Sequence, residues 1–102
     1  MEMARDFFFN RVKWRTRISR SQFEDYNSIL SKNSEFYRGL SVDMKAKTMH
    51  RVLAFAADKE FIGHGLEITM KMKLTVAFAA VKLTFGFEQY LIPILHTIHI
   101  ST

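Results

Sequence analysis

The residues of this sequence best suited to bind a metal ion are its histidines, because the chain has no cysteine. The four histidines are His50, His64, His96 and His99. A hydrolytic zinc site of the H-E-x-x-H type needs two histidines one helical turn apart, with a glutamate directly after the first to act as base. The histidines here are followed by arginine, glycine, threonine and isoleucine. The sequence therefore predicts no catalytic residue of this type, no metal or other cofactor held by this chain, and no enzymatic activity of the chain alone.

Three of the histidines remain as candidate metal ligands, although their spacing argues against a shared ion. His96 and His99 lie in a segment that we expect to be a strand, where a spacing of three puts side chains on opposite faces. His64 stands between Gly63 and Gly65, where the missing side chains would let a ligand approach closely. We expect His99 to face solvent or a sheet edge, His96 to be partly packed and His64 to lie in a surface loop.

A basic segment at the N-terminus carries most of the excess positive charge. The net charge is +5, from 15 lysines and arginines against 10 acids. From residue 11 to residue 18 cations alternate with neutral residues, which would place the charges on one side of an extended segment. We interpret residues 1–20 as a basic N-terminal arm. Its candidate residues for binding nucleic acid or a protein partner are Arg11, Lys13, Trp14, Arg15, Arg17 and Arg20.

The arm has two interpretations. Basic residues around a tryptophan can bind phosphates and stack a base. More commonly such a segment is a solvated tail, or it packs its aromatic residues, here Trp14 and the run 7–9, onto its own core or a partner. The sequence favours the second interpretation over nucleic-acid binding, and it leaves a homo-oligomer open.

Hydrophobic periodicity predicts a mainly α fold, an α+β fragment with about three helices. The first is expected from about residue 22 to 32, with Ser21 and Glu24 spaced as a capping box. The second should begin after Ser41 and reach about residue 59. The third should run from residue 70 to 85, with Thr69 as its N-cap and Gly86 ending it.

One or two short strands complete the predicted fold. Glycines between short apolar pairs over residues 61–68 indicate a loop or a short strand. After Pro93, alternating side chains predict a strand near residues 94–101, with Ile98 and Ile100 on one side and His99 on the other. A lone strand cannot satisfy its own hydrogen bonds. We therefore expect the chain to be a segment of a longer domain.

Cellular location is constrained by composition. The absence of cysteine favours the cytoplasm, since it removes disulfides from the fold. The N-terminal residues have no apolar run long enough for an export signal. The most apolar segment, residues 74–87, is interrupted by Lys82 and falls short of the roughly 20 residues that span a bilayer. We expect a cytoplasmic protein with no membrane span.

A series of short motifs in the middle and end of the chain has a recognisable order and spacing. The motifs are residues 36–41, residues 51–52 with Phe55, and then residues 59–63, 66–69, 83–86 and 90–91. Together they resemble the N-terminal region of the MtfA-like, glucose-regulated zinc-dependent peptidases. The resemblance covers roughly residues 23–102, and its most specific part runs from Phe61 to Gly86.

The resemblance implies that residues 21–102 are the helical N-terminal segment of a metallopeptidase-like domain. In that family the H-E-x-x-H helix and a further zinc ligand lie downstream of the final strand, so zinc belongs to the parent enzyme and no catalytic residue carries over to this chain. Three positions depart from the family: Ser101-Thr102 stands where a Tyr-Pro pair is usual, and Met70 replaces an acid. The expected role is a non-catalytic segment that supports a downstream catalytic part. The alternative is a stand-alone helical module that binds protein or nucleic acid through the basic arm.

Overall fold

The computed structural model of the chain describes residues 2–85 and 96–101. These residues form five helices and two strands. In chain order the elements are α1 (Glu2–Arg15), α2 (Arg20–Asn33), α3 (Glu35–Arg38), α4 (Val42–Asp58), β1 (Glu60–His64), α5 (Met70–Leu83) and β2 (Thr97–Ser101). The prediction of a mainly helical chain with short strands is confirmed, with α1 and α3 as helices that the sequence did not indicate. None of the helices described is long and apolar enough to cross a membrane.

The chain divides into two compact units, Met1–His50 and Arg51–Thr102, and the boundary falls inside α4. The proposed division into a basic arm of residues 1–20 and a helical segment of residues 21–102 stays a prediction.

The extended backbone expected from residue 11 is wrong as far as residue 15, because α1 includes those residues. The physical reason is burial: Phe8, Phe9 and Val12 are all buried, at positions that share one side of a helix. Phe8 and Phe9 both meet the ring of Phe23 edge-on, with centroids 4.9 and 5.3 Å away.

Helix α2 begins two residues earlier than predicted, because its capping box is formed by Ser19 and Gln22 rather than by Ser21 and Glu24. The Gln22 backbone N–H donates to the Ser19 hydroxyl at 3.1 Å, and the Ser19 N–H donates to the Gln22 side-chain oxygen at 3.0 Å. Glutamine can replace glutamate in this motif. The earlier start also brings Arg20 into the first turn, where it pairs with Asp6 at 3.0 Å.

Helices α4 and α5 begin where their caps were predicted. The Ser41 hydroxyl accepts the Met44 N–H at 3.2 Å, and the Thr69 hydroxyl accepts the Met72 N–H at 3.2 Å. Helix α4 ends at Asp58 and α5 at Leu83, within two residues of the expected ends. Gly86, predicted to end α5, lies outside the described residues. The buried side chains of α5 form the expected apolar face and are Leu74, Ala77, Phe78 and Val81.

Strands β1 and β2 form a two-stranded parallel sheet. The expected strand near residues 94–101 is confirmed over residues 97–101, whereas residues 94 and 95 lie outside the described residues. In the register, Ile62 pairs with His99 and His64 pairs with Ser101. Because side chains alternate along a strand, one face carries the two histidines together with Ile62, and the other face carries the remaining apolar side chains. That apolar face consists of Phe61, Ile98 and Ile100, with Gly63 among them.

Gly63 allows the chain to fold back tightly after β1. A Cβ atom at this position would collide with the carbonyl oxygen of Leu66 and lie 3.2 Å from the side chain of Ile68. The return is completed by Gly65, whose φ of 80° lies in the left-handed region that favours glycine. The glycines that flank His64 are therefore required by the turn, and they place His64 at the end of β1.

Candidate functional site

The parallel register brings together His64 and His99, two of the three histidines that were candidate metal ligands. Nε2 of His64 lies 2.7 Å from Nδ1 of His99. The ring planes differ by 25° and the ring centroids are 4.9 Å apart. The histidines are diagonal neighbours on one face, because His99 is the register partner of Ile62, two residues before His64. The side chains therefore meet without any irregularity in either strand.

The contact between the two rings is a hydrogen bond that requires one ring to donate and the other to accept. A neutral imidazole has one N–H group and one bare nitrogen, and the tautomer decides which nitrogen is which. At 2.7 Å the two nitrogens cannot both carry a hydrogen, so at least one presents a lone pair to the other. A nitrogen lone pair of this kind is also what binds a transition metal.

The other two histidines lie apart from this pair. His96 precedes β2 and is exposed, so the expected partial packing of this residue is wrong. Its backbone carbonyl accepts the N–H of Glu60 at 2.9 Å, which fixes the start of the strand pairing rather than burying the ring. His50 belongs to α4, and its Nε2 lies 3.3 Å from the carbonyl oxygen of Arg11. His99 is exposed as predicted, and His64 is exposed at the end of a strand rather than in a loop.

The His64–His99 pair does not fit the catalytic metal of a peptidase. Catalytic zinc sites hold the ion with three protein ligands and leave one position open for water. Over residues 2–85 and 96–101, no three side chains of histidine, cysteine, aspartate or glutamate converge on one point. The described residues therefore bring two imidazole nitrogens together and do not form a catalytic ligand set.

The residues predicted to form a binding arm lie on α1, on the start of α2 and between them. Two of the cations face acids, since Arg11 pairs with Asp43 at 2.7 Å and Arg20 pairs with Asp6 at 3.0 Å. Both pairs are largely exposed, so each contributes about 0–1 kcal/mol to stability. Arg20 also lies 4.1 Å over the Phe9 ring, and Lys13 lies 5.6 Å from the same ring. Arg15 is the last residue of α1, and Arg17 is exposed between the helices.

Trp14 is largely exposed to solvent, with 82% of its surface accessible. Together with Phe7, Asn10 and Arg11 it lines an open depression of about 360 Å³ on α1. These four positions follow the i, i+3, i+4, i+7 pattern of one helix face. An extended segment would not form this face, although the spacing of residues 7, 11 and 14 in the sequence is that of one side of a helix.

Comparison with known proteins supports the family resemblance suggested by the motifs between residues 36 and 91. The model of the family described as glucose-regulated metallo-peptidase M90 matches residues 9–101. No curated protein and no solved structure matches the chain. The family match begins within α1 and includes α2 to α5 and both strands. It therefore includes both histidines of the pair. The chain belongs to the glucose-regulated metallo-peptidase M90 family.

Proposed function

We propose that this chain is a non-catalytic N-terminal segment of a glucose-regulated, zinc-dependent metallopeptidase and that it supports a catalytic part of the same enzyme. The observation that carries the proposal is the family match over residues 9–101, a stretch in which no histidine is followed by glutamate. The catalytic part would supply the H-E-x-x-H helix, the zinc ion and the general base. The present residues would supply the surface onto which that part folds.

The two-stranded sheet supports this role. Parallel strands occur almost only in sheets whose two faces are covered and which have more than two strands. Here the sheet has order β1-β2 among the described residues, and the side chains of both strands are half-buried or exposed. Among residues 2–85 and 96–101, no other strand pairs with the outer edges of β1 and β2, and an edge of this kind can accept a further strand. A strand of the catalytic part would extend the sheet at one of these edges.

The compartment proposed for this assembly is the cytoplasm, on the ground of a composition without cysteine. The proposed partner is the catalytic part of the same polypeptide. A second copy of this chain would compete for the same sheet edge, and the binding experiment distinguishes these two partners. Nucleic-acid binding by the basic arm has less support, because Arg11 and Arg20 already pair with acids.

The proposal is tested by the native reading frame and by reconstitution. We expect an H-E-x-x-H sequence in frame after Thr102. The 102-residue chain, mixed with the polypeptide encoded after it, should form a one-to-one complex in size-exclusion chromatography with light scattering. The control is the chain alone at the same concentration, which should elute as a monomer. A stop codon directly after Thr102 would contradict the proposal, and so would a catalytic polypeptide that fails to bind while the chain dimerises with itself.

A further inference from the structure

The side chains of His64 and His99 form a potential chelate on the polar face of the sheet. Nε2 of His64 and Nδ1 of His99 are 2.7 Å apart, and both side chains are exposed. Imidazole nitrogen is a ligand for late first-row divalent metals, whereas Mg²⁺ and Ca²⁺ prefer oxygen. We propose that these two nitrogens bind one late transition-metal ion, with Cu²⁺ the tightest. This site is separate from the catalytic zinc of the proposed function and does not depend on it.

The separation of the two nitrogens is close to that of adjacent ligands on one metal ion. With metal–nitrogen bonds of about 2.0–2.1 Å, two neighbouring ligands of a square-planar ion are about 2.9 Å apart, and two ligands of a tetrahedral ion about 3.3 Å apart. The 2.7 Å of the hydrogen bond is within about 0.6 Å of both values, so small rotations of the rings suffice for either geometry. The usual order of affinities of divalent first-row metals for nitrogen ligands places Cu²⁺ first, so we expect Cu²⁺ to bind most tightly.

Metal binding would replace the hydrogen bond between the rings. In the hydrogen bond, one of the two facing nitrogens carries a hydrogen. To bind the ion, that ring must change tautomer and carry its hydrogen on its other nitrogen. Both facing nitrogens then present lone pairs to the ion. Both rings are exposed, and small rotations of the side chains can therefore open the gap without displacing the strands. The register of β1 and β2 keeps His64 and His99 diagonal to each other throughout.

Water fills the other coordination positions of the bound ion. Among the residues that the structure describes, no third histidine, aspartate or glutamate converges with the pair. The site is thus a two-ligand chelate, whose affinity depends on both nitrogens binding at once. Loss of either imidazole converts a chelate to a single ligand, and the effective-concentration advantage of the second ligand, about 100-fold or more, disappears.

The test is calorimetric titration of the full 102-residue chain with Cu²⁺, with glycine as a competing ligand to suppress weak sites. We expect one ion per chain, affinity falling in the order Cu²⁺, Ni²⁺, Zn²⁺, and no binding of Mg²⁺. His64→Ala and His99→Ala should each weaken Cu²⁺ binding by about 100-fold. His96→Ala is the matched control, because His96 is also exposed and close in sequence, and it should bind as the unmodified chain does. Equal affinity in all four proteins, or an equal loss in His96→Ala, overturns the proposal.

A second measurement needs no substitution and so does not depend on the variants folding. Paramagnetic Cu²⁺ added below one equivalent should broaden the imidazole proton signals of His64 and His99 in the NMR spectrum before those of His50 and His96. Simultaneous broadening of all four histidines would overturn the proposal. With Zn²⁺, which does not broaden signals, the same two histidines should shift first.

Discussion

His64 on β1 and His99 on β2 are joined by a hydrogen bond of 2.7 Å, although 35 residues separate them along the chain. The bond is exposed, so water competes with it and its contribution to stability is modest. In a double-mutant cycle of His64→Ala and His99→Ala, we expect a coupling energy of about 0.5–1 kcal/mol in the free energy of unfolding. The same cycle with His96→Ala in place of His99→Ala should give a coupling near zero. Equal couplings in the two cycles would show that the contact contributes nothing specific.

Gly63→Ala should destabilise the turn after β1 strongly. The added Cβ would meet the backbone carbonyl of Leu66, which cannot move aside as a flexible side chain can. We expect a loss of about 2–3 kcal/mol in denaturant unfolding. Gly39→Ala is the control, because its Cβ would meet its nearest atom at an ordinary 3.5 Å and its φ of −81° suits any residue. That control should be neutral or gain up to about 1 kcal/mol from the lower entropy of the unfolded chain. Similar losses in both variants would contradict this account of Gly63.

Thr48→Val should stabilise the protein. Thr48 is fully buried on α4, and its hydroxyl has no hydrogen-bond partner among the described residues. Valine has nearly the same shape and removes the buried polar group, so we expect a gain of about 1 kcal/mol in the free energy of unfolding. Thr84→Val serves as control, because the Thr84 hydroxyl donates to the Ala80 carbonyl at 3.0 Å and its loss should not stabilise. A destabilised Thr48→Val protein would mean that the hydroxyl is satisfied.

Tyr37 should make stability depend on pH in the alkaline range. Burial raises the pKa of the Tyr37 hydroxyl above its ordinary value of 10.0. Above about pH 10 the unfolded chain loses this proton while the folded chain keeps it, so the free energy of unfolding falls as pH rises. Below that pH both states are protonated and the contribution is fully present.

The variant Tyr37→Phe isolates this effect. It removes the hydrogen bond from the Tyr37 hydroxyl to Asn27 Oδ1, 2.7 Å long, and should cost about 1 kcal/mol at neutral pH. It should also flatten the decline in stability above about pH 10, measured by urea unfolding at a series of pH values. Identical alkaline slopes in the two proteins would show that folding does not raise the pKa of Tyr37.

Trp14 is the chain's one tryptophan and reports directly on the basic arm. Because 82% of the Trp14 surface is exposed, we expect its fluorescence emission to be red-shifted and efficiently quenched by acrylamide. Duplex DNA at physiological salt should leave that emission unchanged, because Arg11 and Arg20 are paired with acids. Quenching by DNA that weakens steeply with added salt would instead favour the nucleic-acid alternative.

Local chemistry explains which elements could be predicted from the sequence. Ser41 and Thr69 are followed by apolar patterns of helical period, and each caps the helix expected there. Ser19 and Ser21 both have a capping partner three residues later, so local spacing could not decide between them. Helix α2 begins after the earlier serine, Ser19, and its first residue, Arg20, contacts Asp6 and Phe9, which are distant in sequence.

The histidine pair could not be predicted, because it depends on the register of two strands. Spacing along the chain suggested His96 with His99 as the nearest couple. The parallel pairing of β1 and β2 instead brings His64 beside His99. Helix α1 was missed for a different reason: alternating cations suggested a strand-like period of two, and the burial of Phe8, Phe9 and Val12 was not visible from charge.

Peptidase activity measured with and without the catalytic part decides whether this chain is a non-catalytic segment. The 102-residue chain, supplied with Zn²⁺, should hydrolyse a fluorogenic peptide no faster than buffer does, whereas the reconstituted complex should hydrolyse it and lose activity on chelation. His64→Ala and His99→Ala in the complex should retain the activity, because neither residue is assigned to the catalytic site. Zinc-dependent hydrolysis by the chain alone, abolished by a chelator, would contradict the account.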